Sequence, residues 1–284
     1  MTMEEVLEQV KFHCELRGLS RHTQVEYLTK ARRFQRHYGK PATELGIEEI
    51  QNYLHYLYTE KHLAAGTINT YNSGLRFLYN VVLDKPLNLF QIPCHRKQRG
   101  FPDILSREEV RNLLDSCDNL RDRCILTTTY SAGLRLDEVA HLLVSDIDSE
   151  KMQIFIRKGK GGKDRFALLS QANLEILREY WKAYRPKEYL FLSRNRRPMC
   201  NKAVEDVFYK AQRAAGITKK VSIHTLRHCF ATHLLEDGVS IYHIKQLLGH
   251  SDISTTCFYL HLVKISELDV KSPLDGILEQ TSNG

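Results

Sequence analysis

The chain has no C-x-x-C pair, and its seven cysteines, at 14, 94, 117, 124, 200, 229 and 257, are odd in number and scattered. That spacing argues against a disulfide framework or a zinc ribbon and fits reduced thiols in a cytosolic protein. No uninterrupted apolar run approaches the ~20 residues of a membrane span, so no membrane partner is expected. The opening Met1-Thr2-Met3-Glu4-Glu5 is acidic, which lacks the basic-then-apolar plan of a secretory leader and predicts a cytoplasmic protein. The G-x-x-x-x-G-K-[ST] order of a Walker loop is missing. So is H-E-x-x-H. His224 and His228 have the right i, i+4 spacing, but Thr225, Leu226 and Arg227 stand between them, and a guanidinium repels a divalent cation. No metal and no cofactor are expected.

What is present is length and positive charge. The 284 residues suffice for two domains with real cores, and 42% hydrophobic with 26% charged residues is ordinary for a globular protein. The formal charge is +7, with 14 Lys and Arg against 10 Asp and Glu in residues 1–100 and a similar excess beyond. The excess is spread over the chain rather than gathered in a tail, so a polyanionic partner is plausible, as is a merely basic protein.

Residues 1–85 read as four helices. Leu7, Val10, Phe12, Cys14 and Leu16 form the first pattern, which stops near Gly18. Ser20 is an N-cap candidate for a second helix carrying Val25, Leu28, Ala31 and Phe34. Thr43 opens a third with Ile47, Ile50, Leu54 and Leu57, and Gly66-Thr67 a fourth with Ile68, Tyr71, Leu75, Leu78 and Tyr79. Lys30, Arg33, Thr67, Asn69, Thr70, Asn72 and Arg76 lie off the apolar stripes, where short polar and basic groups suit DNA phosphates or simply a solvated surface. Residues 86–103 carry Pro86, Pro93 and Pro102 around the basic run His95-Arg96-Lys97-Gln98-Arg99, which reads as a linker.

Residues 104–263 read as a second domain. Ser106-Arg107-Glu108-Glu109 is a capping box, a further helix runs from about Asn119 to Tyr130, and Gly133 breaks it before a restart at Leu136. Arg135 therefore sits at a helix start, where an anion is favoured. The period then changes: residues 153–157 and 165–169 are short β-like runs around the glycine-rich, basic tip Lys158-Gly159-Lys160-Gly161-Gly162-Lys163-Asp164. Helices are expected at about 171–184, 201–215, 225–236, 240–248 and 254–263. Lys202, Lys210 and Arg213 on the second of these are further phosphate-contact candidates, or solvated charges. From His224 to Tyr259 the chain offers one Arg, several His and a Tyr without a carboxylate cluster, a set suited to chemistry on a phosphate with Tyr as nucleophile.

Arg135 in Ala-Gly-Leu-Arg-x-x-Glu, Lys160 in Gly-Lys-Gly-Gly-Lys-Asp-Arg, His224-x-Leu-Arg227-His228, Leu-Leu-Gly-His250 and Tyr259 nine residues later occur in that order. This resembles the tyrosine recombinase (phage integrase) family, above all its short Xer, integron and transposon-integrase branch. Ser20-x-x-Thr23-x-x-x-Tyr27 and Thr70 to Tyr79 are similar to that family's core-binding domain. The resemblance implies a mainly α, two-domain, C-shaped DNA clamp with a small β-hairpin. A helical core-binding domain (1–85) would be joined by the linker to a catalytic domain (104–263).

It also implies roles. Tyr259 would attack the scissile phosphate, giving a 3′-phosphotyrosine and a free 5′-hydroxyl. Arg135 and Arg227 would clamp the non-bridging oxygens, and Lys160 would protonate the leaving oxygen. His224 would assist proton transfer at Tyr259, His250 would hydrogen-bond the phosphate, and Glu138 and His228 would support the site from behind. The physics is consistent: two bidentate guanidiniums can neutralise charge gathering on equatorial oxygens without a metal. A phosphotyrosine ester conserves the energy of the broken bond, so rejoining needs no ATP. The implied partners are a double-stranded DNA recombination site, a homo-tetramer on two such sites, and accessory proteins, at the bacterial nucleoid.

Tyr242 and Leu260 depart from the family pattern at positions with no proposed catalytic role, which bears on specificity. Residues 264–284 keep Ile265, Leu268, Val270, Leu274, Ile277 and Leu278 beyond the catalytic run, and are expected to pack into a neighbouring protomer rather than fold back. Two other readings stay open: a relaxing enzyme like a type IB topoisomerase, and a DNA-binding accessory protein with a dead site.

Overall fold

The computed structural model describes residues 1–88, 90–96, 102–157, 164–193 and 195–262. It divides into two units, Met1–Gly100 and Phe101–Gly284. Among the described residues no helix is long and apolar enough to cross a membrane.

The first unit is helical. Helix α1 (Met3–Leu16) starts at a capping box in which Glu5 N–H donates to Thr2 Oγ1 and Thr2 N–H to Glu5 Oε2. Helix α2 (Arg21–Tyr38) is capped by Ser20 as expected and ends at Gly39, whose left-handed φ of 65° closes it. The third helix starts later than Thr43: Ala42–Glu44 is a 3-10 turn, and α3 (Ile47–Thr59) begins where Gly46 N–H donates to Glu49 Oε2. The Tyr79 hydroxyl lies 3.1 and 3.0 Å from the carbonyls of Ala42 and Leu45 and holds that turn down. Helix α4 (Ala65–Phe77) runs on into one π-helical turn, Leu78–Val82. Phe34, Ile50, Tyr53, Ile68, Tyr71, Leu75 and Tyr79 fill the core, whereas Phe12, Leu16 and Val25 stay exposed.

This packing corrects part of the expected DNA face. Gly74 lets α4 approach α2 so closely that an added Cβ would stand 3.0 Å from Lys30 Cβ. Lys30 is thus buried, with Nζ 2.8 Å from Glu26 Oε2 and over the Tyr71 ring. Asn72 is 2% exposed; its Nδ2 donates to the carbonyls of Ile92 and Pro93, and its Oδ1 accepts from Arg76 Nε. Arg76 also donates to the Ile92 carbonyl. Asn69 bonds His95 both ways, at 2.9 and 2.8 Å. The chain after α4 returns along its polar face, so Asn69, Asn72 and Arg76 fasten residues 92–95. A helical wheel cannot see a returning segment of the same chain. Arg33, Thr67 and Thr70 remain exposed.

The second unit opens with α5 (Arg107–Asp115), whose Ser106–Glu109 capping box forms as read. Helix α6 (Leu120–Ser131) is buried along most of its length, with Cys124 to Thr129 all inside. Helix α7 (Leu136–Ala140) is short. A three-stranded antiparallel sheet follows, β1 (Ile147–Asp148), β2 (Gln153–Ile156) and β3 (Arg165–Leu168), with Ile154 opposite Ala167. The two-residue β1 is too short to leave a period in the sequence. Ile154, Ile156 and Ala167 point inward, while Phe155 and Phe166 pair with ring centroids 5.3 Å apart. Helices α8 (Gln171–Tyr184), α9 (Asn201–Ala214), α10 (Ile223–Glu236) and α11 (Ile241–Leu248) lie close to the expected ranges. The last expected helix splits into α12 (Ser254–Cys257) and a 3-10 turn, Phe258–His261. Lys202, Lys210 and Arg213 are exposed on α9, with Lys202 paired to Asp206 and Lys210 to Asp118. The hairpin tip with Lys160, and residues 264–284, lie outside the described residues.

Candidate active site

Helix α6 ends because Gly133 takes φ 58°, a conformation that only glycine adopts without strain. The turn then delivers Arg135 as the N-cap of α7, with its backbone N–H on Glu138 Oε2 and its Nη1 on Glu138 Oε1, both at 2.8 Å. Glu138 is shared. Arg165, the first residue of β3, grips the same carboxylate with two parallel bonds of 2.7 and 2.8 Å and donates from Nε to the Leu247 carbonyl at 3.1 Å. Burial pushes the Glu138 carboxyl up, but the hydrogen bonds and charge of Arg165, with Arg135 behind it, outweigh burial and bring it down to about 2.

Arg227 projects from α10 and is 1% exposed. Nη1 donates to the Gly133 carbonyl and Nη2 to the Leu248 carbonyl, each at 2.6 Å, and Nη2 also meets His250 Nε2 at 3.2 Å. A guanidinium only donates, so His250 Nε2 accepts and its Nδ1 carries the proton, 2.9 Å from Thr256 Oγ1. Burial, then the nearby Arg135 charge, pulls Arg227 down to about 9, which leaves it protonated at neutral pH. Three guanidiniums surround one carboxylate, and Arg227 Nη1 is still 3.9 Å from Glu138 Oε2. The cluster is positive in excess, and a tetrahedral anion would relieve it.

Tyr259 comes from the 3-10 turn and is 3% exposed. Its hydroxyl lies 3.1 Å from Nδ1 of His228, and its ring is nearly parallel to that of His250. Burial raises the Tyr259 hydroxyl above its usual range against the lowering pull of Arg227 and Arg135. Burial, then His224 and Arg227, bring His228 down to about 4, so the imidazole is neutral and can accept. His224 lies edge-to-face with His228, ring centroids 4.8 Å apart. The family resemblance implies that His224 assists proton transfer at Tyr259; the hydrogen bond to the tyrosine hydroxyl is made by His228. Both face one way on α10, and the 3-10 turn brings Tyr259 against the later one.

The structure thus gathers Arg135, Glu138, His224, Arg227, His228, His250 and Tyr259 into one cluster. It adds Arg165 and Thr256, which sequence reading missed. One signal for Arg165 was available: in Arg165-Phe166-Ala167-Leu168 the arginine shares the parity of inward-facing Ala167, and a charge on an inward face needs a partner.

The buried, neutral His228 predicts acid sensitivity. His228 is held at about 4 against the usual 6.5, a depressed folded value, so its contribution is full above 6.5 and is lost as pH falls through 4. The cost is roughly 3 kcal/mol by the span of the shift. Trp181, the single tryptophan, lies in the second unit. Urea unfolding followed by its fluorescence should lose stability between pH 6.5 and 4, and His228→Asn should flatten that slope. An unchanged slope would contradict a buried neutral His228.

Two family descriptions match this chain: the Phage integrase family over residues 103–264, and the phage integrase N-terminal SAM-like domain over residues 6–89. A putative integrase/recombinase of Sinorhizobium fredii is 38% identical over 279 residues, 97% of this chain and 90% of that protein. The tyrosine recombinase XerA of Thermococcus kodakarensis is 34% identical over 275 residues, 93% of this chain and 94% of that protein. A crystal structure of XerA recombinase shares 27% identity, with 98% of each chain covered and a TM-score of 0.55. A lambda integrase tetramer bound to a Holliday junction has a TM-score of 0.74 at 19% identity, covering 91% of this chain and 77% of that one, a likeness of fold. The chain belongs to the phage integrase family of tyrosine recombinases, the enzymes of site-specific DNA recombination.

Proposed function

We propose that Tyr259 cuts and rejoins duplex DNA through a 3′-phosphotyrosine at a specific site, with exchange passing through a Holliday junction. The observation that carries this reading is the Tyr259 hydroxyl 3.1 Å from neutral His228, beside buried Arg227 and the Arg135–Glu138 pair. Arg135 and Arg227 neutralise the non-bridging oxygens as the phosphate becomes pentacoordinate, and His250 hydrogen-bonds it from Nε2 once Arg227 has turned its Nη2 to the phosphate and the His250 proton has moved to that nitrogen. The tyrosine proton passes to His228 during attack, not before: with the phenol above its usual range and His228 near 4, ionisation ahead of attack is steeply uphill. His224, exposed and edge-to-face with His228, assists that proton transfer. Lys160 supplies the proton to the leaving 5′-oxygen; the glycines around it in the sequence favour this reach. Attack forms the P–O(Tyr) bond and breaks the P–O5′ bond, and rejoining reverses both.

In this reading residues 1–85 form a DNA-contacting helical domain, with Arg33, Thr67 and Thr70 on phosphates. Residues 86–103 cross the backbone, and 104–263 hold the site with Lys202, Lys210 and Arg213 on flanking DNA. Four protomers assemble on two sites, linked by residues 264–284, with accessory proteins admitted. Relatives bound to DNA as a dimer and as a tetramer on a Holliday junction support the arrangement.

The test is protection of DNA flanking the protein's own gene, followed by a suicide duplex of the protected core nicked near the cut. A protected core that traps a protein–DNA adduct is the expected result. Site-indifferent relaxation of plasmids would favour a topoisomerase, and protection without any adduct would leave only a DNA-binding protein.

A further inference from the structure

Arg165 stands opposite Ile156 at the end of the β2–β3 pairing, and its side chain is 8% exposed. Its guanidinium is committed in three directions: both Glu138 oxygens at 2.7 and 2.8 Å, and the Leu247 carbonyl at 3.1 Å. Its shank packs on the turn before His250, where an added Cβ on Gly249 would stand 2.5 Å from Arg165 Cδ. One side chain therefore touches the strand, the carboxylate beneath Arg135, and the backbone that leads to His250. None of the roles given above uses it.

The consequence follows from how a carboxylate behaves. The last torsion of a glutamate is broad, so its two oxygens turn toward whichever donors are strongest. Arg135 offers Glu138 its backbone N–H and one Nη. Without a second partner, Glu138 would rotate to take the Arg135 guanidinium edge-on as a bidentate pair. That pairing would spend the donors a phosphate needs and would neutralise the charge meant for it. Arg165 fills the carboxylate first, so Arg135 is steadied without being consumed.

We propose that Arg165 is a positioning residue for the phosphate clamp, holding Glu138 so that Arg135 faces the substrate and fixing the turn that carries His250. The proposal rests on the recombinase reading above, in which Arg135 and Arg227 act on the scissile phosphate.

The experiment uses the full-length chain and suicide duplexes of the protected core site with two scissile groups. One carries the natural phosphodiester. The other carries a methylphosphonate, which lacks one non-bridging negative charge and so asks less of the arginines. Arg165→Met keeps length and removes the fork, and Arg165→Lys keeps a charge but cannot bond bidentately. On the phosphodiester, Arg165→Met should cleave about 100-fold more slowly and Arg165→Lys about 10-fold more slowly. On the methylphosphonate both deficits should shrink to within about 3-fold of wild type. A merely structural role would slow both substrates alike, and that result, or cleavage of the phosphodiester at the wild-type rate, overturns the proposal. If Arg165→Met fails to fold, the same comparison is read on Arg165→Lys. Wild-type protein that forms no adduct on either duplex condemns the recombinase reading instead.

Discussion

Arg227→Met should lose cleavage about 1,000- to 100,000-fold while leaving a folded protein that still binds its site. An arginine placed on a transferring phosphoryl group is worth about that much, or roughly 4–7 kcal/mol of barrier. The effect on stability is smaller because two changes oppose each other. The Gly133 and Leu248 carbonyls lose their donors, at about 1–3 kcal/mol for an unsatisfied buried group. Against that, a buried cation already pulled down to about 9 is replaced by an apolar chain of similar length, which removes a desolvation cost. Chemistry is therefore hit harder than folding. Adduct formation on the suicide duplex, set beside urea unfolding read at Trp181, separates the two. Cleavage within about 10-fold of wild type would mean that Arg227 is structural.

Gly133→Ala should destabilise the second unit by about 2–5 kcal/mol. The left-handed φ of 58° costs a non-glycine residue about 1–2 kcal/mol. The new Cβ would stand 2.5 Å from Phe230 Cδ1 and 3.0 Å from Leu248 Cδ2, and overpacking of that kind costs about 1–3 kcal/mol more. Against a typical total of roughly 5–15 kcal/mol this is a large fraction. The same carbonyl holds Arg227, so activity should fall even where the unit stays folded. Urea unfolding gives the stability, and a midpoint unchanged from wild type would show that the turn relaxes freely.

The local grammar of the chain was legible where neighbours in sequence are neighbours in space. Ser20, and the Ser106–Glu109 box, started helices where they were read to start. The β-like runs read at 153–157 and 165–169 pair as antiparallel strands over 153–156 and 165–168. What was illegible depends on distant partners. The polar face of α4 read as open, yet Asn69, Asn72 and Arg76 bind a segment some twenty residues later. Lys30 read as a surface cation until Gly74 brought α4 against it. In the site, the ordered motifs named Arg135, His224, Arg227, His250 and Tyr259. They implied that His224 assists the tyrosine and that His228 supports the site, because the motif does not encode the 3-10 turn that places the Tyr259 hydroxyl on His228. Arg165 was passed over as a strand residue because its partners are distant in sequence, Glu138 27 positions earlier and the Leu247 carbonyl 82 positions later.

The reading stands on Tyr259 as the covalent nucleophile. The measurement is proteolysis of the adduct trapped on the suicide duplex, with mass mapping of the peptide that carries the nucleotide. The prediction is a phosphodiester on Tyr259, formed by the wild type and absent from Tyr259→Phe, which still protects the site. DNA mapped to any other residue, or an adduct that survives in Tyr259→Phe, would contradict it.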